Sequence, residues 1–261
     1  MALKIFVVFH SSINEMCYDE LSPEELDHLT FVAVNEAVPK TYPADPKYRI
    51  IKEWELPNFN PKLQQQGFQE NSVLHHVYMN KLYSEDDRVG FAQYDMYMKR
   101  GTIDFLKRTA RPEGVQCMVA CPYSLALGNF NGHDGIFVKA IEDMKLYFPE
   151  SHFSKDSLYP MCNTYVLPVK LFNKIMPWII QLHDKIYPEC ILPPYRPRYG
   201  EVGCYYEQIM GFVITALCQD LAPWPGIIHP TTHGAMHQLK QDGPHTVTSV
   251  KACTESNESG P

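Results

Sequence analysis

The sequence predicts an α/β fold with a mostly parallel central sheet flanked by helices, and three observations carry that reading. Residues 4–9 and 29–34 are compact runs of β-branched and aromatic residues, each ending in polar residues, His10-Ser11-Ser12 and Asn35-Glu36. Between them, Ser22-Pro23-Glu24-Glu25 reads as a helix start, with a serine N-cap, proline at the first helical position and glutamate at the third. Strand, short helix and strand make a βαβ unit, which requires parallel pairing. The chain has 261 residues, 45% hydrophobic and 20% charged, the composition of a folded protein of one large domain or two small ones, and no linker is long enough to divide it. Residues 1–250 are expected to form that single domain and residues 251–261 a frayed tail.

The later elements follow in order. Residues 50–56 read as a third strand and 57–67 as a polar connection, followed by a helix over 70–82 with apolar Val73, Leu74, Val77 and Met79. Asp87 through Asp95 reads as a turn, a strand and an acid at the strand's carboxyl end. Residues 102–108 resume helix, and 115–121 form a strand stopped by Pro122. A glycine-rich entry around His133-Asp134-Gly135 leads to a helix ending near Phe148. Residues 165–167 are a short strand and 169–187 an amphipathic helix that Pro177 should kink. A loop rich in proline and arginine, containing Arg196 and Arg198, precedes a helix over 205–217, and everything from Ala222 onward reads as loop.

Charge and cysteine usage exclude several function classes. Thirty acidic against 23 basic residues leave −7, so no general electrostatic grip on nucleic acid or anionic membrane is expected. The longest apolar runs, such as 211–218, fall short of the roughly 20 residues that span a bilayer. The start lacks the cleavage site of a secretory signal. Eight scattered cysteines without a C-x-x-C pair suit a reduced, cytoplasmic protein better than a disulfide scaffold.

In a parallel α/β sheet, ligands sit beyond the carboxyl ends of the strands. That rule singles out His10, Ser11 and Ser12, then Asn35, then Gln93, Tyr94 and Asp95. The glycine fingerprints of dinucleotide and P-loop sites are absent. Asp95 follows an apolar run, where a lone acid is costly unless paired or bound to a hard cation such as Mg²⁺ or Mn²⁺; capping of the next turn is the plainer reading. His229, His233 and His237 recur every four residues, but Pro230 and Gly234 favour a loop, solvated or lending one imidazole to a metal. Glu207 opens an apolar helix, as an N-terminal charge or a general base. Asp134 is a second acid/base candidate, and Arg196 can counter phosphate charge.

Several segments together resemble a family of GT-A-fold glycosyltransferases that includes bacterial capsular-polysaccharide-type enzymes and enzymes of large algal DNA viruses. They are Ile5 to His10, Glu70-Asn71-Ser72-Val73, Tyr78-Met79-Asn80, Asp87 to Asp95, Cys162-Asn163-Thr164-Tyr165-Val166 with Phe172 and Trp178, and Gly203-Cys204-Tyr205-Tyr206-Glu207. The resemblance spans roughly residues 4–220. Many relatives carry a His-Tyr-Arg-Arg-type sequence after the Val-Gly-Phe strand, whereas this chain has Gln93-Tyr94-Asp95-Met96, a reduced form of the Asp-x-Asp metal motif.

The resemblance implies a single GT-A-like domain that binds a nucleotide-sugar donor, a UDP-sugar such as UDP-xylose, through His10, Ser11, Ser12, Asn35, Asn80, Gln93, Tyr94, Asp95 and Arg196. It implies Mn²⁺ or Mg²⁺ held by Asp95 with His229 or His233, and a glycan or glycoprotein acceptor, the glycan of a viral coat protein among the candidates. Glu207 and Asp134 are then the catalytic candidates, and single displacement inverts the anomeric centre. The competing readings are a catalytically silent glycan- or nucleotide-binding module of the same fold, and a metal-assisted phosphoester hydrolase using Asp95 and the histidines.

Overall fold

The structure, a computed structural model, describes residues 2–34, 47–85, 87–118, 120–122, 134–153, 157–160, 162–190 and 201–228. Its centre is a seven-stranded sheet. In chain order the sheet strands are β1 (Leu3–Phe9), β2 (Leu29–Ala33), β3 (Ile50–Lys52), β4 (Arg88–Gln93), β6 (Val115–Cys117), β9 (Tyr165–Pro168) and β10 (Leu221–Pro223). Short ribbons pair β5 (Tyr97–Met98) with β11 (Ile227–Ile228) and β7 (Ala120–Pro122) with β8 (Leu158–Pro160). The order across the large sheet is β10-β6-β9-β4-β1-β2-β3. All its pairings are parallel except those of β9, which runs antiparallel to both β4 and β6.

The helices are α1 (Pro23–Leu26), α2 (Pro61–Gln65), α3 (Asn71–Met79), α4 (Thr102–Thr109), α5 (Asp134–Tyr147), α6 (Val169–Cys190) and α7 (Glu201–Leu217). α1 starts on the expected capping box: Ser22 Oγ accepts from Glu25 N at 3.3 Å, and Ser22 N donates to Glu25 Oε2 at 3.2 Å. The other Glu25 oxygen accepts from Gly101 N at 2.9 Å and Ile103 N at 3.3 Å, capping α4 across space where Gly101 has no side chain to do so.

Alternation along β1 divides the core into two faces. Phe6 and Val8 pack with α3, α5, α6 and α7, where Phe172, Trp178, Tyr205 and Phe212 are buried. Leu3, Ile5, Val7 and Phe9 point the other way, toward Leu26 of α1 and Ile103 and Leu106 of α4. Each fully buried large apolar side chain contributes about 1.5–3 kcal/mol. Among the described residues no helix is long and apolar enough to cross a membrane.

Several elements differ from the sequence reading, each for a local reason. The third strand stops at Lys52, because Glu53 turns inward, fully buried, and starts a short 3-10 helix over Glu53–Glu55. The connection after Pro57 contains α2, whose N-cap Asn60 accepts from Lys62 N ahead of Pro61. The single strand expected over 115–121 is two strands, β6 and β7, in different sheets. The segment after Ala222 read as loop holds β11 and most of β10. α6, with Pro177 inside it, runs on past the expected end to Cys190, and α7 begins one turn earlier than its apolar pattern indicates.

Candidate active site

β1 and β4 run parallel in register, with Val8 opposite Gln93, so His10 and Tyr94-Asp95 emerge side by side at the carboxyl edge of the sheet. The reversed direction of β9 matters here. Tyr165, its first residue, lies opposite Phe91 and Cys117, which brings the turn Cys162-Asn163-Thr164 to the same edge. Cys162 and Asn163 both take left-handed backbone angles, φ 59° and 44°, a conformation that costs a non-glycine residue free energy unless the surroundings impose it.

Asn71 imposes it. Its Oδ1 accepts from Asn163 Nδ2 at 3.0 Å, while its own Nδ2 donates to Gly203 O at 2.7 Å and Phe68 O at 3.3 Å. One buried amide thus ties the start of α3, the 162–164 turn and the start of α7 together. Gly203 permits the approach: a Cβ there would lie 3.0 Å from Phe68 O.

One turn along α7 from Gly203, Glu207 enters the site. Its Oε1 accepts from Cys162 N at 3.1 Å and its Oε2 faces Gln93 Nε2 at 3.4 Å. Burial, and then the charge of Glu70, push the Glu207 carboxyl up to about 7, against the lowering effect of the Cys162 N–H. Such a group changes protonation state at neutral pH, which is what a general base requires.

Glu70 is the residue that sequence reasoning missed. It sits at the N-cap of α3 yet makes no capping hydrogen bond. Instead its Oε1 lies 2.8 Å from His10 Nε2, with the histidine ring edge-on to Tyr94 at 6.0 Å between centroids. The sequence carries no signal of this, because an acid at the start of a helix reads as a favourable N-terminal charge. Glu70→Gln is expected to lower the pH at which Glu207 titrates, because it removes a neighbouring negative charge and leaves burial unchanged. A carbon-13 titration of the Glu207 carboxyl checks this; identical titrations in both proteins would contradict it.

Tyr94 is 38% exposed and offers a ring face beside His10. Burial, then Asp95 and Glu70, hold its phenol above the usual range, so it stays neutral. Ser11 and Ser12 are exposed on the loop after β1. Asp95 is partly buried, and its Oδ1 is a buried oxygen without a hydrogen-bond partner among the described residues. That is a donor of the kind a hard divalent cation takes, and a cation such as Mg²⁺ binds through one or two carboxylates plus substrate phosphates. Among the described residues no group of three His, Cys, Asp or Glu side chains could hold a metal by itself.

The structure therefore brings together His10, Gln93, Tyr94, Asp95 and Glu207, with Ser11 and Ser12 on the rim. It does not bring Asn80 to them. Asn80 ends α3 at the far side, its Oδ1 accepting from Asn58 N at 3.0 Å and its Nδ2 donating to His76 O at 2.9 Å. Asp134 is the first residue of α5, and its side chain lies outside the described residues, as do Asn35, Arg196, His229 and His233.

No protein-family model and no curated protein matches the chain. Solved structures do. The bifunctional glycosyltransferase WbbM, in its apo form, superposes with a TM-score of 0.56 at 14% identity, over 85% of this chain and 44% of that one. The galactosyltransferase LgtC with donor and acceptor sugar analogues gives 0.44 at 9% identity, over 85% and 73%. Mouse xyloside xylosyltransferase 1, apo, gives 0.37 at 12% identity, over 81% and 82%. This chain thus spans under half the length of WbbM, and the likeness is one of fold. The architecture is the GT-A-like α/β fold found in glycosyltransferases.

Proposed function

We propose that this protein transfers a sugar from a nucleotide-sugar donor, a UDP-sugar with xylose among the candidates, to a hydroxyl of a glycan acceptor. The observation that carries the reading is Glu207: a carboxyl poised near neutrality, both oxygens fixed, at the carboxyl edge of a GT-A-like sheet. Glu207 accepts the acceptor hydroxyl's proton as that oxygen attacks the anomeric carbon. The Cys162 N–H and the Gln93 amide hold the carboxylate's orientation meanwhile. A single displacement of this kind inverts the anomeric configuration.

The donor side is formed by Tyr94, whose exposed ring can stack on a base or sugar, and by His10 and the Ser11 and Ser12 hydroxyls. Glu70 orients His10 and keeps Glu207 basic. Asp95 would hold Mn²⁺ or Mg²⁺, with His229 or His233 as further ligands and Asn35 and Arg196 on the donor. When bound, the metal offsets the charge that develops on the leaving diphosphate. Asp134 remains a second candidate acid or base.

The test is a panel of nucleotide sugars incubated with the protein in Mn²⁺ or EDTA, following nucleoside diphosphate release. Release from one donor, lost in EDTA and in Asp95→Ala, is expected. No release from any donor, with no nucleotide raising the melting temperature, would leave a silent binding module of the same fold.

A further inference from the structure

A cavity of about 260 Å³ opens at the other end of the sheet, where β1, β2 and β3 begin. Its lining includes Lys4, Thr30, Arg49, Lys81, Tyr83 and Ser84. Lys4 precedes His10 by six positions along extended chain, which sets it about 20 Å from the candidate active site. The volume lies just under the roughly 300–1,000 Å³ of drug-sized ligand pockets and suits a smaller, polar occupant.

Three cations converge here in a chain whose net charge is −7. Ion pairs elsewhere take up Lys52, Arg111, Lys170, Lys174 and Lys185, yet among the described residues no carboxylate lies within ion-pair distance of Lys4, Arg49 or Lys81. Among the described residues, the neighbouring acids Asp87 and Glu85 are engaged otherwise. Asp87 Oδ1 accepts from Ala2 N at 2.8 Å and Glu85 Oε2 from Asn173 Nδ2 at 2.7 Å. Lys4 Nζ uses one donor on Leu82 O at 2.7 Å, which leaves two. Burial and the positive charge of Arg49 hold the Lys4 ammonium below its ordinary range, partly offset by Asp87, so an incoming anion would relieve an unfavourable juxtaposition.

One wall is preorganised. α3 ends in a Schellman motif, with Leu82 N donating to Val77 O at 3.1 Å and Lys81 N to Tyr78 O at 3.2 Å. The left-handed position that usually falls to glycine is occupied by Lys81, at φ 47°. Its Nζ lies 4.3 Å from the Tyr78 ring centroid and donates to Tyr83 Oη at 3.2 Å. The ammonium is thereby held at the cavity.

We propose that this cavity binds a phosphate dianion, either free or carried by a small phosphate ester, through Lys4, Arg49 and Lys81 with the Thr30 and Ser84 hydroxyls. The site is separate from the proposed donor site and does not depend on it.

The test is calorimetric titration of the full chain with inorganic phosphate and with a sugar monophosphate, at constant ionic strength set by chloride. The comparison is the double variant Arg49→Gln/Lys81→Gln, whose substituted side chains are exposed. Saturable binding to the wild-type chain, at least about tenfold weaker in the variant, is expected, since one charge-assisted hydrogen bond carries about that factor. Tighter binding of the ester identifies it as the source of the dianion, and equal binding identifies free phosphate. Equal affinity in the variant, loss of phosphate binding to excess nucleoside diphosphate, or no saturable binding would overturn the proposal.

Discussion

Glu207→Gln is expected to slow sugar transfer by about 10²- to 10⁴-fold, the usual contribution of a positioned base, while stabilising the fold at pH 8. The two effects share a cause. The Glu207 carboxyl titrates at about 7 in the folded protein against 4.5 for an ordinary glutamate. Below pH 4.5 it is protonated in both folded and unfolded chains and contributes no pH dependence. Between 4.5 and 7 the folded chain holds the extra proton, so stability falls as pH rises, and above 7 the full cost of a buried charge is present. That cost is up to about 3 kcal/mol. Glutamine removes the charge, and its amide can still accept from the Cys162 N–H. Denaturant unfolding at pH 8 and at pH 5 checks the stability half: the variant gains at pH 8 and little at pH 5. Equal gains at both values, or none, would contradict the burial argument.

Glu53→Ala is expected to cost about 3–5 kcal/mol, the penalty for leaving one partner of a buried polar pair without the other. Glu53 and His76 are 0% and 1% exposed, with His76 Nδ1 against Glu53 Oε1. The other ring nitrogen, Nε2, accepts from Asn60 N at 2.9 Å, so the ring proton is assigned to Nδ1, on the side of the ring that lies beside the carboxylate. Gln64 Nε2 donates to Glu53 Oε2 at 2.9 Å and lies 2.6 Å from Ser72 Oγ. Removing the carboxylate takes the ion-pair partner from the buried His76 ring and one acceptor from Gln64 Nε2, and loosens residues 53–64 from α3. Urea unfolding measures the loss, and a cycle with His76→Ala isolates the pair. A loss under about 1 kcal/mol would mean that the site relaxes or admits water.

The parts of the fold that were legible in the sequence are those with strong local signals. The runs that became β1, β2 and β4 are apolar on both faces, as buried parallel strands are, and the Ser22 capping box forms as its spacing requires. The polar residues that follow β1 and β4 consequently reach the same edge. Strand direction was not legible, because an apolar run of four residues such as Tyr165–Pro168 reads the same either way. That one reversal delivers the 162–164 turn, and with it the N–H that binds Glu207.

Asn80 and Glu70 show the limit for the site. They belong to neighbouring motifs, but a helical rise of about 1.5 Å per residue separates the two ends of α3 by about 15 Å. Glu70 faces His10, and Asn80 faces the loop carrying Asn58. That Glu70 does not cap α3 is visible only when its real partner, His10, 60 positions earlier, is known.

The most direct test of the account is the pH dependence of transfer on the donor that the panel identifies. With Glu207 as the base, turnover rises with pH along a single limb centred near 7 and then levels off, and Glu70→Gln moves that limb to lower pH. A rate that stays flat from pH 5.5 to pH 8.5, or a limb that persists unchanged in Glu207→Gln, would contradict it.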